Sequence, residues 1–462
     1  MTLLIENWTP DATVINFVDE KTWSELCQKL TPSLANYAKT IGFNAKPGSL
    51  FIAPAIGEEP ACVFFGVDQQ DTKKSDPFQV GKLVALLPAG LYRFGDGVKD
   101  KSSATLAFLL SAYSFSAYLS SKEPKLSLCA PKEIDHLRIK RIAEAIYLGR
   151  DLINTPANDM GPEALEQAAL SLAKKNGATY KNFIGEELLH KNFPLIHAVG
   201  RAAAQPPRLV EFLHGPMDGL KITLVGKGVC FDSGGLDIKP ASAMQLMKKD
   251  MGGAATTLSL AKMIMDSNIP VRLRVLLPIV ENSISANAFR PGDIYPSRKG
   301  LSVEIGDTDA EGRLILADAL AYAGEEPHDL LFNFATLTGA ARVALGPELP
   351  PFYTDSDELA QEIFSHAMQS YDPLWRMPLW NNYDKALDGK ISDLVSVTSG
   401  GFSGSITAAL FLRRFVNDSR KWAHFDIFAW NPTTKPAKPE GGEIQAARAL
   451  YDLIERRVED RK

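Results

Sequence analysis

The sequence contains few cysteines, and none of them form a pair at metal-binding or redox spacing. Four cysteines are spread along 462 residues without a CxxC motif, at Cys27, Cys62, Cys129 and Cys230. This usage indicates reduced thiols in a cytoplasmic protein and excludes a disulfide framework. The N-terminal segment "MTLLIENWTPD" has no basic region and reaches Glu6 early, so we expect no signal peptide.

Several common catalytic motifs are also missing. The seven histidines show no HExxH or HxH spacing. The absence of GxSxG argues against a serine hydrolase, and the absence of GxxxxGK[ST] excludes a P-loop. Any metal site must therefore be built on oxygen ligands, which favours Mn or Mg and leaves Zn open.

The sequence has no excess of positive charge, and one long run without charge needs an explanation. Lys and Arg number 50 against 55 Asp and Glu, a net charge of −5, which argues against a broad nucleic-acid-binding face. The uncharged run from Ser102 to Ser121 is long enough to span a bilayer. Its serines and its helical apolar spacing instead favour a buried helix, so we expect no membrane contact.

The length and pattern of the chain predict an α/β protein of two domains. Hydrophobic residues make up 45% and charged residues 23%, as in globular proteins. The runs "SLFIAPAI", "ACVFFGV" and "KLVALLPA" predict strands in a smaller N-terminal α/β domain over residues 1–131. A periodic helix from Lys132 to Ile153 and the turn-rich "NTPANDMGP" predict a linking segment over residues 132–155.

Residues 156–462 have the pattern of a mostly parallel central sheet flanked by helices. The compact apolar runs "LKITLVG", "VRLRVLLPIV", "DLLFNFATL" and "WAHFDIFAW" predict buried strands. Helical stretches at Gly253–Asp266 and Gly312–Ala323 separate several of them. Ligands bind at the carboxyl ends of the strands in such sheets, and the charged motifs of this sequence follow strands.

Two of these motifs combine glycines with charged residues. In "VGKGVCFDSGGLDIKP", Lys227 and Asp232 lie on a predicted glycine-rich loop after a strand, and Lys239 follows seven residues later. These could be ordinary surface charges at a turn. In "LMKKDMGGAATT", Asp250 precedes a helix, where it could simply act as an N-cap.

A third motif, "GDTDAEGRL", places acids at alternate positions. In an extended segment Asp307, Asp309 and Glu311 would face the same side, followed by Arg313. If the loops meet, the repulsion between these acids and those of the other motifs requires a cation or raised pKa values. One divalent ion could serve, whereas two ions about 3.5–4 Å apart would neutralise the acids better and create a hydrolytic site.

The motifs together resemble the leucyl aminopeptidase family (cytosol aminopeptidases, peptidase family M17). "DTDAEGRL" is similar to the family signature NTDAEGRL. The blocks "VGKGVCFDSGG", "KKDMGGAA", "ANAFRPGD" at 286–293, "ATLTGA" at 335–340 and "GSITAALFL" at 404–412 follow in the family order. The resemblance is strong from about Arg150 to Trp430 and weak before residue 100.

This resemblance implies a set of roles. The metal ligands would be Lys227, Asp232, Asp250, Asp309 and Glu311. Asp232 and Glu311 would bridge two divalent ions, Mn or Zn in the first place and Mg or Co as alternatives. Lys239 and Arg313 would be the catalytic residues, with Lys239 stabilising an oxyanion and Arg313 holding a bicarbonate as general base. The family also implies a homohexamer.

The substrate pocket is less well defined by the resemblance. The positions that match it are Met247, Asp307, Thr336, Leu337 and Gly339. Met and Leu at such places are more often core residues. Asp307 replaces a family asparagine, "ISDLVSVTSGG" lacks an asparagine that the family usually has, and the tail "EGGEIQAARALYDLI" matches loosely. These departures affect the side-chain preference and leave the reaction intact.

The sequence therefore predicts a cytoplasmic metallo-aminopeptidase. It would release Leu, Met or other apolar residues from peptides with a free N-terminus. A metal-dependent phosphohydrolase is the alternative enzyme, since acid clusters with Mg also serve phosphoryl transfer. A DNA-binding regulator is the non-enzymatic alternative, and the acidic balance argues against nucleic acid as a partner.

Overall fold

The fold consists of two units, described here from a computed structural model. The structure describes residues 4–5, 9–55, 61–68, 76–120 and 126–461. One unit comprises Met1–Tyr147 with Pro432–Glu440, and the other comprises Leu148–Asn431 with Gly441–Lys462. The predicted limits at 131/132 and 155/156 stay predictions. Most of the N-terminal segment considered for a signal peptide, together with Ile56 and Ser121, lies outside the described residues.

The N-terminal unit is a small α/β unit around a mostly parallel sheet. Its strands are β1 (Leu4–Ile5), β2 (Thr13–Val18), β3 (Leu50–Ala53), β4 (Cys62–Gly66), β5 (Gly90–Phe94) and β6 (Leu126–Cys129). Within the described residues they pair in the order β1-β6-β5-β2-β4-β3, and only β3 with β4 is antiparallel. Its helices are α1 (Glu20–Cys27), α2 (Pro32–Thr40), α3 (Leu83–Leu86) and α4 (Lys101–Ser111).

Two sequence expectations for this unit have different outcomes. The strand predicted at "KLVALLPA" is wrong, because Leu83–Leu86 form a helical turn that continues a 3₁₀ helix at Pro77–Lys82. Short apolar runs do not distinguish a strand from a buried helix. The uncharged run forms the buried helix α4, which ends at Ser111. No helix in the described part of the chain is both long enough and apolar enough to span a bilayer.

The larger unit contains a nine-stranded sheet among its described residues. The strands run in the order β16-β15-β18-β14-β9-β11-β8-β7, and β10 pairs with β11. Their bounds are β7 (Thr179–Ile184), β8 (Arg208–His214), β9 (Leu220–Gly226), β10 (Gly228–Asp232), β11 (Val271–Asn282), β14 (Leu330–Ala335), β15 (Pro351–Tyr353), β16 (Trp375–Arg376) and β18 (Trp422–Asp426). The central pairs, β9 with β11, β9 with β14 and β14 with β18, are parallel. The predicted fold class is confirmed.

Short strands and a set of helices complete this unit. The short strands are β12 (Ile294–Pro296), β13 (Ser302–Glu304), β17 (Leu394–Val395), β19 (Trp430–Asn431) and β20 (Gly441–Gly442). The helices are α5 (His136–Asn154), within which the division into units falls, α6 (Pro162–Lys175), α7 (Glu187–His190), α8 (Pro194–Gly200), α9 (Ala241–Met244), α10 (Gly252–Ser267), α11 (Glu311–Ala323), α12 (Gly339–Leu345), α13 (Asp357–Gln369), α14 (Gly404–Arg413) and α15 (Ala447–Glu459).

Helices α10 and α11 are buried almost along their whole lengths, as expected for helices without a polar face. Leu314, Ile315 and Leu316 of α11 are fully buried in the main hydrophobic core. A helix packed in this way cannot rotate without opening the core, so its first turn is held rigidly. Glu311, the first residue of α11, is thereby fixed at the carboxyl end of the sheet.

Candidate metal centre

The five predicted ligands come from three stretches of the larger unit, 227–232, 250 and 309–311. Lys227 lies between β9 and β10, and Asp232 is the last residue of β10. Asp250 belongs to a 3₁₀ helix, Met247–Met251, Asp309 to another at Thr308–Ala310, and Glu311 begins α11. The predicted loop from Lys227 to Asp232 is wrong, because Gly228–Asp232 pairs with β11 as a strand. The N-cap alternative for Asp250 is also wrong, because the N-cap residue of α10 is Met251.

Three carboxylates converge at this place. Asp232, Asp309 and Glu311 each offer an oxygen, and these oxygens lie within 4.8 Å of one another. Burial, followed by the charge of Asp232, raises the pKa of Asp309 to about 6 and raises the pKa of Glu311 well above its usual range. Glu311 is 1% exposed, and its Oε2 accepts no hydrogen bond from any described residue. An oxygen-rich cluster with an unpaired buried oxygen fits a bound cation.

Lys227 lies in the middle of the acids. Its Nζ is 2.8 Å from Oδ2 of Asp250 and 2.9 Å from Oε1 of Glu311, and it donates to the carbonyl of Thr336 at 2.9 Å. Burial by itself lowers the pKa of Lys227, but the carboxylates of Asp250, Glu311 and Asp232 outweigh it and raise that pKa. A lysine can bind a metal only as the neutral amine, so nearby cations would have to reverse this shift.

Two glycines make room for Lys227. A Cβ on Gly312 would lie 2.6 Å from Lys227 Cε and 2.7 Å from its Nζ. A Cβ on Gly253 would lie 2.8 Å from the backbone nitrogen of Lys227. The first turns of α10 and α11 can therefore approach this lysine only because both positions lack a side chain.

The two predicted catalytic residues lie beside the acids. Lys239 Nζ is 2.8 Å from Oδ2 of Asp232 and also pairs with Asp309. Burial lowers its pKa, but Asp232 and Asp309 outweigh burial, so the pKa is raised and Lys239 stays an ammonium. Arg313 donates to the carbonyl of Ser396 at 2.6 Å, and its Nε has no partner among the described residues. Burial lowers the pKa of Arg313 to about 10, which keeps it cationic at neutral pH.

The segment "GDTDAEGRL" is not extended. Asp307 alone has extended backbone, and the chain then turns through the 3₁₀ helix into α11. Asp307 Oδ1 accepts a hydrogen bond from the backbone N–H of Asp309 at 2.8 Å. The expectation of three acids on one face of a strand is therefore wrong. Asp309 and Glu311 are brought together by the turn, and Asp307 caps it.

Three residues that sequence reasoning missed, Asn282, Asp237 and Thr308, hold the segment after β10 and the 3₁₀ helix Thr308–Ala310 together. Asn282, at the end of β11, donates to Oδ1 of Asp232 at 2.8 Å and to the carbonyl of Thr308 at 3.0 Å. Asp237 accepts from the backbone N–H of Thr308 at 2.8 Å, and its own N–H donates to Thr308 Oγ1 at 2.8 Å. These residues are distant in sequence, so no local pattern indicates their contact.

Asp426 is a fourth missed residue. It ends β18, is 2% exposed, and accepts hydrogen bonds from the backbone N–H groups of Leu337 and Thr338 at 3.0 and 3.1 Å. It also accepts from the hydroxyls of Thr338 at 2.6 Å and Ser405 at 2.9 Å. Burial raises the pKa of Asp426. Its place at the carboxyl end of a strand was a signal that could have identified it.

A pocket of about 450 Å³ opens onto the centre. Its lining includes Asp232, Asp250 and Asp309 on one side. Four of the predicted substrate-binding positions also line it: Met247, Thr336, Leu337 and Gly339. Asp307 does not belong to this lining. The pocket therefore brings apolar and small side chains next to the carboxylates.

Lys249 and Arg342 also line the pocket, and sequence reasoning missed both. Lys249 Nζ lies 4.6 Å from the centroid of the Phe428 ring, and Arg342 Cζ lies 5.2 Å from it. Lys249 is 6% exposed, and burial lowers its pKa to about 8. In the sequence, Lys249 is one of two adjacent lysines before Asp250, and nothing local distinguishes it from Lys248.

Comparisons with known proteins agree with this geometry. A model of the cytosol aminopeptidase family, catalytic domain, matches residues 147–451, and a model of the M17 aminopeptidase N-terminal domain matches residues 14–131. The chain is 42% identical over 322 residues to a probable cytosol aminopeptidase of Syntrophotalea carbinolica, covering 69% of this chain and 64% of that protein. It is 41% identical to one of Chlamydia abortus, covering 71% and 67%. The chain thus spans about two thirds of the length of these relatives.

Solved structures show the same relationship over nearly the whole chain. The crystal structure of a cytosol aminopeptidase from Coxiella burnetii has a TM-score of 0.94 and 41% identity, covering 99% of both chains. The bottromycin maturation enzyme BotP in complex with Mn has a TM-score of 0.86 and 30% identity, covering 96% of this chain and 99% of that chain. With both domain models matched and both chains aligned at this identity, the protein belongs to the cytosol aminopeptidase (M17) family.

Proposed function

We propose that this chain is an aminopeptidase that hydrolyses the N-terminal peptide bond of peptides by means of two divalent metal ions. Its membership in the family supports the reaction. The observation that carries the metal dependence is the convergence of Asp232, Asp309 and Glu311 within 4.8 Å at a pocket, with a buried oxygen of Glu311 unpaired. The four carboxylates of Asp232, Asp250, Asp309 and Glu311 pair with only two ammonium groups, those of Lys227 and Lys239, so the cluster can accept further positive charge.

The ions would be held by Lys227, Asp232, Asp250, Asp309 and Glu311. When bound, divalent cations lower the pKa of a water molecule and polarise the peptide carbonyl. Four carboxylates and one amine form a mostly hard ligand set, which favours Mn, and Zn, Mg and Co remain compatible. The BotP structure in complex with Mn, a structural relative, supports this choice.

Lys239 would donate to the oxyanion that develops on the scissile carbonyl. Its raised pKa keeps the ammonium protonated, and its Nζ already lies 2.8 Å from Asp232 at the edge of the cluster. Arg313 has no proton to give at working pH and would act through its charge. Its unpartnered Nε supports the binding of an anion, which we propose to be the bicarbonate that serves as general base.

The substrate would be a peptide with a free N-terminus. Met247 and Leu337 provide apolar walls, which supports cleavage after Leu, Met and other apolar first residues. Thr336 and Gly339 line the same pocket and complete the proposed substrate-binding set, together with Asp307 acting through the turn that it caps. A cytoplasmic location and a homohexamer also belong to this proposal, and light scattering on the purified protein would test the hexamer.

Hydrolysis of Leu-p-nitroanilide tests the reaction directly. Protein stripped of metal with a chelator should be inactive, and Mn or Zn should restore release of p-nitroaniline. The N-acetylated substrate should not be cleaved, because it lacks the free amine. No activity with any of the four metals would contradict the proposal, as would equal cleavage of the acetylated substrate. Hydrolysis of p-nitrophenyl phosphate instead would favour the phosphohydrolase alternative.

A further inference from the structure

The pocket beside the proposed metal centre contains two cations that the reaction does not use. Lys249 precedes the proposed ligand Asp250, and Arg342 lies on α12. Both line the same pocket and both approach the ring of Phe428, at 4.6 and 5.2 Å from its centroid. One aromatic ring therefore holds two positive charges at the wall of the substrate pocket.

Neither cation has a carboxylate partner among the described residues. The other lysines of the pocket, Lys227 and Lys239, each pair with two carboxylates. Lys249 is as well buried as many core residues, at 6% exposure, yet its ammonium group forms no ion pair or hydrogen bond with any described residue. Asp250 and Asp426 attract it without pairing with it, and its direct contact is with the Phe428 ring. A ring attracts a cation less strongly than a carboxylate does, so both side chains remain available to a carboxylate that a substrate brings.

We propose that Lys249, assisted by Arg342, binds the side-chain carboxylate of an N-terminal Glu or Asp, so that the enzyme also releases acidic residues. This inference rests on the proposed aminopeptidase function and adds a substrate class to the apolar residues expected from the sequence. It concerns specificity and leaves the roles of the metal ligands unchanged.

The composition of the wall explains how one pocket serves both classes. Met247 precedes Lys249 by two residues in the same 3₁₀ helix, and Leu337 lines the same pocket. An apolar side chain packs against Met247 and Leu337 alone. The methylenes of Glu can use the same apolar contacts while its carboxylate reaches Lys249. The side chain of Glu is one methylene longer than that of Asp, so its carboxylate should reach Lys249 more easily and Glu should be preferred.

Matched p-nitroanilide substrates test the assignment. Glu and Gln differ only in charge, and these substrates have no C-terminal carboxylate to confuse the result. We expect the metal-loaded enzyme to hydrolyse Glu-p-nitroanilide with a kcat/KM roughly 10- to 100-fold above that for Gln-p-nitroanilide, as a charge-assisted hydrogen bond provides. Lys249→Met should bring this ratio close to one, Arg342→Gln should lower it less, and Lys249→Arg should preserve it.

Lys248→Met is the matched control. Lys248 is the neighbouring lysine, but its Nζ donates to the carbonyl of Asn154 at 2.6 Å and it does not line the pocket. Its loss removes the same charge from the chain and should leave the Glu-to-Gln ratio within about twofold. Equal ratios in the wild type, or equal changes in the two lysine variants, would overturn the inference. Thermal unfolding of each variant verifies that it is folded.

Two further measurements distinguish binding of an acidic first residue from binding of the C-terminus and from failure of the proposed function. If the wild type prefers free-acid over amidated C-termini of Leu-initiated dipeptides, and Lys249→Met loses that preference but keeps the Glu-to-Gln ratio, the cations bind the C-terminus and the inference is wrong. Cleavage of Leu-p-nitroanilide without any preference for Glu over Gln would refute only the inference. If no substrate is cleaved, the proposed function fails, and calorimetric titration with free glutamate and glutamine still decides. Tighter binding of glutamate than of glutamine, lost in Lys249→Met, supports the binding of an acidic side chain by Lys249, and equal affinities refute it.

Discussion

Asp307 and Asp309 lie two residues apart, and the fold gives them different tasks. Asp309 points to the acidic cluster, whereas Asp307 accepts the backbone N–H of Asp309 and so caps the turn that presents it. The capping bond needs an oxygen and no charge, and the amide oxygen of asparagine supplies one equally well. The difference from the family's asparagine is therefore smaller than the sequence suggests.

We expect Asp307→Asn to keep kcat/KM for Leu-p-nitroanilide within about threefold and to unfold at nearly the same urea concentration. Asp307→Ala removes the acceptor and should cost about 1 kcal/mol of stability, as other caps do. Parallel urea titrations and activity assays of the three proteins measure both effects. A large loss in the asparagine variant alone would show that the charge of Asp307 matters to the metal site.

At the residue scale, sequence motifs identified the chemical groups and missed most of the contacts that hold them. Lys227, Asp232 and Asp250 stood out because they follow a predicted strand or precede a helix in glycine-rich motifs, and only the family resemblance implied that they are metal ligands. Asn282 and Asp426 were missed, although both are the last residues of their strands. Their partners lie 21 to 89 positions away, so only the assembled sheet shows what they bind.

At the element scale, the first turn of α11 is shaped by the lysine that it contacts. Helix propensity favours Ala over Gly by about 1 kcal/mol. At Gly312, however, an added Cβ would lie 2.6 to 2.8 Å from the end of Lys227. Lys227 is 3% exposed and has three partners, so it cannot move aside without losing some of them. Local preference is overridden here by a contact of the proposed metal centre.

We therefore expect Gly312→Ala to weaken metal binding by about tenfold or more, which corresponds to one displaced ligand contact. Isothermal titration with Mn measures this affinity directly. Gly339→Ala is the control, because Gly339 also lies in the first turn of a helix and a Cβ there meets nothing within 4 Å. Equal affinities for Mn in the two variants would contradict the proposed role of Lys227 as a ligand.

Strand β18 contains a histidine that makes stability depend on pH. His424 is fully buried between the rings of Tyr353 and Trp422, and Asn333 Nδ2 donates to its Nδ1 at 2.9 Å. Burial lowers its pKa to about 3, whereas an unfolded histidine titrates near 6.5. Between these values the unfolded chain binds the extra proton. Stability from this residue is complete above pH 6.5 and is lost as the pH falls towards 3.

Lowering the pH from 7 to 5 should therefore cost about 2 kcal/mol through His424. We expect His424→Gln, which keeps an acceptor but cannot titrate, to lose less stability over this range than the wild type. Urea titrations at several pH values measure the difference in slope. His190→Gln, at an exposed position, is the control. Parallel pH profiles for wild type and His424→Gln would contradict this prediction, because they would mean that His424 becomes an imidazolium as readily in the folded state as in the unfolded state.

The elements themselves were predicted best where the pattern was long. The predicted helices at 253–266 and 312–323 are α10 and α11 within one residue at each end, and "LKITLVG" is β9. The run "KLVALLPA" was misassigned because four apolar residues fit a strand and a buried helical turn equally well. The "GDTDAEGRL" segment was misassigned because a period of two was assumed where the chain turns.

At the scale of the whole molecule, the site exists only because distant segments meet at one edge of the sheet. The parallel pairing of β9, β11 and β14 aligns their carboxyl ends, and the segments that follow β9 and β11 carry the acids. That general position could be predicted from the alternation of strands and helices. The two cations of the pocket, Lys249 and Arg342, could not be predicted. That no described carboxylate pairs with either of them is visible only once the chain is folded.

The same convergence predicts how metal should affect the stability of the two units. The proposed ligands all belong to the larger unit, and a cation that binds only the folded state stabilises it by about 3 kcal/mol per site at a hundred times its Kd. Chelation should therefore lower the unfolding temperature of this unit, and Mn should restore it. Hydrogen exchange should slow in β10 and at the start of α11, whereas β2 of the N-terminal unit, which has no proposed ligand, should change less.

Glu311→Gln is the variant that makes this prediction specific. It keeps the shape of the side chain but removes a charge that is buried beside Lys227, so the stripped variant should not gain stability from Mn as the wild type does. Glu186→Gln, at an exposed glutamate outside the cluster, should respond to Mn like the wild type. If Mn stabilised the Glu311 variant as strongly as the wild type, the ion would bind elsewhere. The negative charge of the acids would then be balanced by Lys227 and Lys239 alone, and the proposed metal-dependent hydrolysis at this pocket would be contradicted.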